Sequence, residues 1–338
     1  MPTAPSPFRI AAYNVEWFDE LFARDDSLLR VDLPSRRYKV SREEQADAIA
    51  TVLRAVDADA MLITEAPNTG SRSGRSTVEA LSGFTAHYGL RQSRVLHGFA
   101  SPTHQEIALL YDPVRLSAQH SPKGAPTFDT DHHIDTDGDG VTRRVRFSKP
   151  PLEAALRLTD SDAVLRLIGV HMKSKNPRGS SNLQELLENA RRNRRIQYGQ
   201  AAWLRQRIDD HLAHGEHMIV LGDFNDSPGL DPIEAELEGS ALEEIVGHGP
   251  QSLANPFLMR RGGSAAPSSA RFWRNDLKTY VEALLDFVLL SPSLARHARP
   301  DWRIWHPFND PESAGDPAVK HALLTASDHF PVGCTLEL

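Results

Sequence analysis

Several short apolar runs in this chain stop at, or begin just after, a polar residue capable of chemistry. That recurrence constrains the fold more than any other feature. Phe8–Asn14 reads as a strand ending in Asn14, and Ala60–Thr64 as a short strand ending at Glu65. Val164–Val170 leads into His171, and Met218–Leu221 leads through Gly222 into Asp223. Ile107–Tyr111, Leu285–Leu290 and Val332–Leu338 are further strands, with Asp328 shortly before the last. Helical patterns alternate with these runs. Ser41–Val56 has a capping box in Ser41 and Glu44 and an apolar stripe of Ala46, Ile49, Ala50 and Leu53. Asn182–His211 is a long helical pattern with Leu183, Leu186, Leu187, Ala190, Ala201, Leu204 and Ile208 inward. Alternating strands and helices make an α/β architecture. Strand ends meeting at one rim of a sheet scaffold assemble a site from distant sequence.

The chain has 338 residues, at the upper end for one domain, and shows neither an internal repeat nor a long linker. The expectation is a single domain over residues 1–338. No apolar run is long enough to span a bilayer, so no transmembrane segment is expected. The opening segment lacks a basic and then apolar leader, so no signal peptide is read there. The lone cysteine, Cys334, excludes an intramolecular disulfide and fits a cytoplasmic location. A formal net charge of -7 argues against a wide basic surface for nucleic acid, though not against a local basic groove or a bridging metal. No obligate protein partner is indicated.

The strongest chemical segment is Ile219-Val-Leu-Gly-Asp-Phe-Asn-Asp-Ser-Pro228. If the extended backbone continues, Asp223 and Asn225 share a face, and a carboxylate beside an amide suits a water nucleophile. An Asx-rich turn closing the strand is the plainer account. Thr325–Val332 offers Asp328 as a hard oxygen ligand and His329 as a group that titrates near neutrality. Glu65, directly after an apolar strand, must reach the rim or find a partner such as a metal. Asn14 and Glu16 alternate in Ile10–Trp17. His171 and Lys173 share a face, placing a proton donor beside a phosphate-sized cation. Asp286, inside an apolar strand, needs a partner, and a histidine is a natural one.

In order along nearly the whole chain, Tyr13-Asn14-Val15, Glu65, Gly222-Asp223-Phe224-Asn225 and Ser327-Asp328-His329 resemble the endonuclease/exonuclease/phosphatase superfamily, the deoxyribonuclease-like metal phosphoesterases. The resemblance implies a four-layer α/β sandwich, with two stacked, mostly antiparallel sheets flanked by helices. It implies Mg²⁺, with Mn²⁺ able to substitute, on Glu65 with Asn14 and Asp328 beside it. It makes Asp223 the residue that activates water, with Asn225 its orienting neighbour and phosphate contact. His329 would stabilise or protonate phosphoryl oxygens, oriented by Asp286. His171 is similar to the histidine of the deoxyribonuclease, sphingomyelinase and phosphatase branches, where the abasic-site branch carries tyrosine. Glu106 matches the carboxylate that pairs with that histidine. His-x-Lys-Ser-Lys at 171–175 is similar to bacterial secreted and cell-associated nucleases of the superfamily.

Arg72, Arg75, Lys173, Lys175 and Arg178 lie where they could neutralise substrate phosphates and locally offset the acidic average. Asp135-x-Asp137-x-Asp139-Gly140 resembles the opening of a calcium loop. The twelfth position is Arg146 rather than a bidentate glutamate, so a hairpin tip is favoured over a Ca²⁺ site at Asp135–Asp139. The Arg191, Arg192, Arg194 and Arg195 cluster reads as a solvated face paired to Glu185 and Glu188. Trp273, Trp302 and Trp305 read first as core, with base stacking the alternative. The leading expectation is a Mg²⁺-dependent phosphodiesterase acting on nucleic acid, an endonuclease. Its alternatives are a phosphatase or phospholipase-type esterase on a small-molecule or lipid phosphate ester, and a non-catalytic binding module on the same scaffold.

Overall fold

Strand β1 (Phe8–Asn14) crosses over through α1 (Arg42–Val56) and returns as β2 (Ala60–Ala66), parallel to β1. The expected capping box at Ser41 and Glu44 starts α1. α2 (Thr77–His87) leads to the antiparallel pair β3 (Arg94–His97) and β4 (Glu106–Tyr111). Next come β5 (Leu116–His120), the small hairpin of β6 (Asp131–Ile134) and β7 (Arg143–Arg146), and β8 (Leu152–Leu158). β9 (Val164–His171) crosses over through α3 (Leu183–Ala213) to β10 (Met218–Asp223), again parallel. α4 (Pro232–Glu236), α5 (Ala241–Val246) and the hairpin of β11 (Ala270–Arg274) and β12 (Thr279–Ala283) precede β13 (Asp286–Leu290). The chain ends with α6 (Pro292–His297), β14 (Asp301–Ile304), α7 (Pro311–Gly315), α8 (Pro317–Ala326) and β15 (Val332–Leu336). This computed structural model describes residues 6–70, 74–136, 140–161, 163–177, 179–180, 182–236, 239–259, 267–275 and 277–338.

The strands form a six-stranded sheet, β14-β15-β1-β2-β4-β3, and a five-stranded sheet, β13-β10-β9-β8-β5. Each contains one parallel pair, β1–β2 or β9–β10, and every other pairing in the two sheets is antiparallel. The parallel pairs face one another across the core, where both sheets are buried. Gly169 in β9 allows that approach, because a Cβ there would sit 2.4 Å from the Leu62 side chain of β2. α1 packs with α8 and α3 with α5 on the outside of the stacked sheets, completing the sandwich. Among the described residues no helix is long and apolar enough to cross a membrane.

One expectation changes, and the favoured hairpin around Asp135–Gly140 is flanked by paired strands. Leu183, Leu186 and Leu187 are exposed, and burial in α3 begins at Ala190. The acidic segment Asp129–Gly140 contains a strand, β6, whose Asp131 pairs in register with Arg146 of β7. The position a calcium loop would need for its glutamate is therefore a ladder residue. Asp137 and Asp139 lie outside the described residues, as do Arg72 and Arg178.

Candidate active site

In a parallel pair both strands deliver their carboxyl ends to the same rim, and each sheet here has one such pair. β1 ends in Asn14 and β2 carries Glu65 as its penultimate residue; β9 and β10 end in His171 and Asp223, which are register partners. β13 runs antiparallel to β10, so its first residue, Asp286, sits opposite Asp223 at that rim. The loop from α8 into β15 adds Asp328 and His329. Ser327 ties this loop to β1: its hydroxyl donates to Asn14 O at 2.7 Å and accepts from Glu16 N and His329 N. Asn14, Glu65, His171, Asp223, Asp328 and His329 line one cavity of about 570 Å³.

Backbone strain turns the side chains into the cavity. Glu65 interrupts the β2–β4 register at a bulge and adopts φ 57, in the left-handed region that non-glycine residues seldom occupy. Trp17, also left-handed, donates its N–H to Glu65 Oε2 at 3.1 Å. Asn225 has φ 50, so the extended backbone does not continue past Asp223. The two side chains still meet, through a turn rather than through strand alternation. Asn225 Nδ2 donates to Asp223 Oδ2 at 2.9 Å, and Asn225 N donates to Asp223 Oδ1 at 2.8 Å. Gln197 of α3 holds the turn by donating to the carbonyls of Phe224 and Asn225. At Gly222, φ is 133 and a Cβ would stand 2.0 Å from Val170 O, so only glycine lets β10 lie this close to β9 beside the site.

Asn14 links the two sheets. Its Nδ2 donates to Asp223 Oδ2 at 3.0 Å, while its Oδ1 is buried without a hydrogen-bond partner. An unpaired buried oxygen is unfavourable unless a cation or donor meets it. Glu65 and Asp328 line the same cavity, and burial raises the Glu65 carboxyl above its ordinary range. Hard oxygens, one of them orphaned and one a carboxylate destabilised by burial, suit a divalent cation.

The other half of the site is hydrogen-bonded within itself. Asp286 Oδ2 accepts from His329 Nδ1 at 2.8 Å and from the Ser269 hydroxyl at 2.7 Å. Burial favours the neutral imidazole, yet the Asp286 and Asp223 carboxylates outweigh it and hold His329 well above its ordinary pKa. Asp223 is pushed up to about 7, first by burial and then by the Asp286 charge. Asp223, Asp286 and His329 offer ligand atoms within 4.8 Å of one another. The His329 nitrogen facing Asp286 is already bonded, however, and a charged imidazole repels a cation.

His171 lines the cavity beside Asp223. Its Nε2 lies 3.0 Å from the Lys149 ammonium and 3.4 Å from Asp223 Oδ2. Burial, then Lys149 and His329, hold it well below its ordinary pKa. Its surroundings therefore favour the neutral imidazole. Glu106 does not join it. Buried in β4, Glu106 accepts from Ser101 N at 2.8 Å and meets His97 Nε2 at 3.1 Å. Lys149 is the residue that reading the sequence missed. It sits in the loop before β8, where no periodicity marks it, and only Pro150 and Pro151 hint at a fixed turn.

The expected phosphate contacts divide. Lys173 lines the cavity with its Nζ on Ser174 O, and Arg192 lines it from α3. Arg75 is instead held by Asp26 at 2.7 Å and Asp19 at 3.1 Å, under little solvent. Lys175 is committed to Asp226 and Glu234. Arg194 and Arg191 pair with Asp231 and Glu236, at the start and end of the α4 segment. These basic side chains brace loops, because carboxylates from distant sequence reach them first.

A search of curated proteins finds no match for this sequence. Among solved structures, an AP endonuclease from Archaeoglobus fulgidus superposes with a TM-score of 0.51 at 11% identity, over 98% of this chain and 100% of that one. D. rerio TDP2 complexed with single strand DNA product gives 0.49 at 14% identity, over 98% and 99%. Truncated Caenorhabditis elegans TDP2 gives 0.49 at 13%, over 98% and 97%. The first of these likenesses supports the sandwich fold. A model of the Endonuclease/Exonuclease/phosphatase family matches residues 11–329. The chain belongs to the endonuclease/exonuclease/phosphatase family, and is a metal-dependent phosphoester hydrolase.

Proposed function

We propose that this chain is a single-domain nuclease that hydrolyses phosphodiester bonds by in-line attack of water, with Mg²⁺ as its working cation and Mn²⁺ able to substitute. The observation that carries the reading is the division of labour within Asn14. Its amide nitrogen bonds Asp223, while its amide oxygen is buried without a partner in a residue that lines the same cavity as Glu65 and Asp328. One residue thereby couples a cation site to a general base.

Glu65, Asp328 and Asn14 would hold the cation, which would supply charge neutralisation at the phosphate and the leaving oxygen. Asp223, raised to about 7, takes the proton of the attacking water. Asn225 orients that water and contacts the phosphate. His329, held charged by Asp286, stabilises the phosphoryl oxygens. Lys149, steered by His171, adds a second cationic donor, and either cation can return a proton to the departing alkoxide. Lys173 and Arg192 extend positive charge along the cavity wall.

The net charge of -7 favours a second reading, a phosphatase or phospholipase-type esterase on a small or lipid phosphate ester. A panel of supercoiled plasmid, linear DNA, RNA, an artificial phosphodiester and a phosphomonoester, each with Mg²⁺ and with Mn²⁺, separates the two. The nuclease reading expects cleavage of nucleic acid that weakens steeply with salt and stops on chelation. Turnover confined to the phosphomonoester, or nucleic-acid cleavage that survives exhaustive chelation, overturns it.

A further inference from the structure

Of the three tryptophans singled out as possible base contacts, two are occupied elsewhere. Trp305 is buried and Trp302 donates to Val288 O at 3.0 Å. Trp273 is 47% exposed on the β11–β12 hairpin. It is the register partner of Tyr280, which is 52% exposed, and the two rings meet edge to face at 5.2 Å. The Arg271 guanidinium lies 4.3 Å from the Tyr280 ring centre and 5.1 Å from that of Phe308, itself 43% exposed. The Lys320 ammonium of α8 then covers Phe308 at 4.9 Å. Rings and cations thus alternate in one continuous strip. Arg271 donates its N–H to Asp328 O at 2.7 Å and Ala270 bridges to His329, so the strip starts at the site's rim.

Exposed aromatic rings at these positions are unfavourable in water unless something covers them. The interleaved cations indicate an anionic, aromatic occupant. Glu282, 3.6 Å from Arg271, takes part of that charge, so the strip is a poor electrostatic track for a duplex backbone. The acidic average of the chain agrees with this. A paired base has its faces covered by its neighbours, whereas an unpaired base offers a face to a ring. Trp273 is also pre-set, its Nε1 donating to Asn275 Oδ1 at 3.0 Å.

We propose that Trp273, Tyr280, Phe308, Arg271 and Lys320 form a stacking platform for unpaired bases beside the scissile phosphate, so that the preferred substrate is single-stranded nucleic acid. The proposal rests on the nuclease reading above and names its substrate class. None of the five residues belongs to the catalytic machinery, so their replacement leaves turnover of an artificial phosphodiester intact.

The test titrates an oligo-dT strand into the full-length wild-type, W273A and Y280A proteins in chelator, following tryptophan fluorescence. KM is then measured in Mg²⁺ on single- and double-stranded oligonucleotides and on bis(p-nitrophenyl) phosphate. Quenching in the wild type, its loss in W273A, and a roughly tenfold rise in single-strand KM for each variant, with the artificial substrate unchanged, are expected. Nucleic-acid cleavage with duplex preferred, or with single-strand KM unmoved in both variants, overturns the platform and leaves the nuclease reading standing. Cleavage of the artificial phosphodiester alone overturns both. Quenching of Trp273 by phosphatidylglycerol–phosphatidylcholine vesicles, with none by oligo-dT, assigns the strip to a lipid surface and also overturns it.

Discussion

The two parallel strand pairs open onto one cavity, but they finish it in opposite ways. At the β1–β2 end the side chains are oxygen-rich and incompletely satisfied, with Asn14 Oδ1 orphaned and Glu65 in a strained backbone conformation. At the β9–β10 end the groups bond mainly to one another, Asp223 with Asn225 and Asp286 with His329 and Ser269, and Asp286 Oδ1 and His171 Nδ1 are left buried without a partner. The first end leaves an oxygen acceptor open, and the second is bonded mainly within itself. On the proposed reading the first end neutralises charge and the second transfers protons, and Asn14 joins the two.

The difference can be broken most severely on the β9–β10 side. Asp223→Asn keeps the shape but removes the base, and kcat should fall about a thousandfold with metal affinity nearly unchanged. Glu65→Gln should do the reverse, raising the cation concentration needed for activity, as read by calorimetric metal titration of both variants. If Asp223→Asn loses the metal and Glu65→Gln does not, the two ends have been assigned the wrong way round.

A smaller effect is expected at Lys149. Lys149→Met removes one cationic donor, and kcat should fall on the order of a hundredfold. Because Lys149 helps to hold His171 neutral, the variant's His171 should titrate closer to its ordinary value in metal-free protein, as measured by NMR. An unmoved His171 would separate Lys149 from the site.

The smallest effect concerns Asp286 and its support. His329 is raised above its unfolded value, so its pairing contributes stability that is fully present below pH ~6.5. That contribution is lost as pH rises through the raised value. Ser269→Ala removes one bond to Asp286 and should cost about 1 kcal/mol in denaturant unfolding. Asp286→Asn should lower the His329 pKa and flatten the loss of stability on the alkaline side. A pH-stability profile unchanged by Asp286→Asn would show that the pair does not set it.

Much of this was legible in the sequence wherever one residue's fate depended on its own strand. Asn14, Glu65, His171 and Asp223 each follow an apolar run, and a run ends where its backbone leaves the sheet. Ser41 and Glu44 announced α1 because a cap is a local device. What the sequence hid were partners. Arg75 and Lys175 look like phosphate contacts until Asp26 and Asp226 arrive from other segments. Glu106 meets His97 across the β3–β4 hairpin rather than His171, which lies on the other sheet. Lys149 reaches the cavity from a loop whose course depends on the packing around it. The left-handed turn at Asn225 produces the contact with Asp223 that alternation only imitates.

The order of the strands has a consequence for how the enzyme comes into being. β15, the last strand, lies between β14 and β1, the first, with Phe8 paired to Leu336. Asn14 and Ser327 are bonded across 313 residues and Asn14 and Asp223 across 209. Contacts so remote form late, because the loop between them must close first. During synthesis β1 waits with an open edge until β15, made after the other strands of both sheets, fills it and brings Asp328 and His329 along. Assembly of the cavity therefore waits on β15, and a product stalled before it would hold Asp223 without Asp328 and His329.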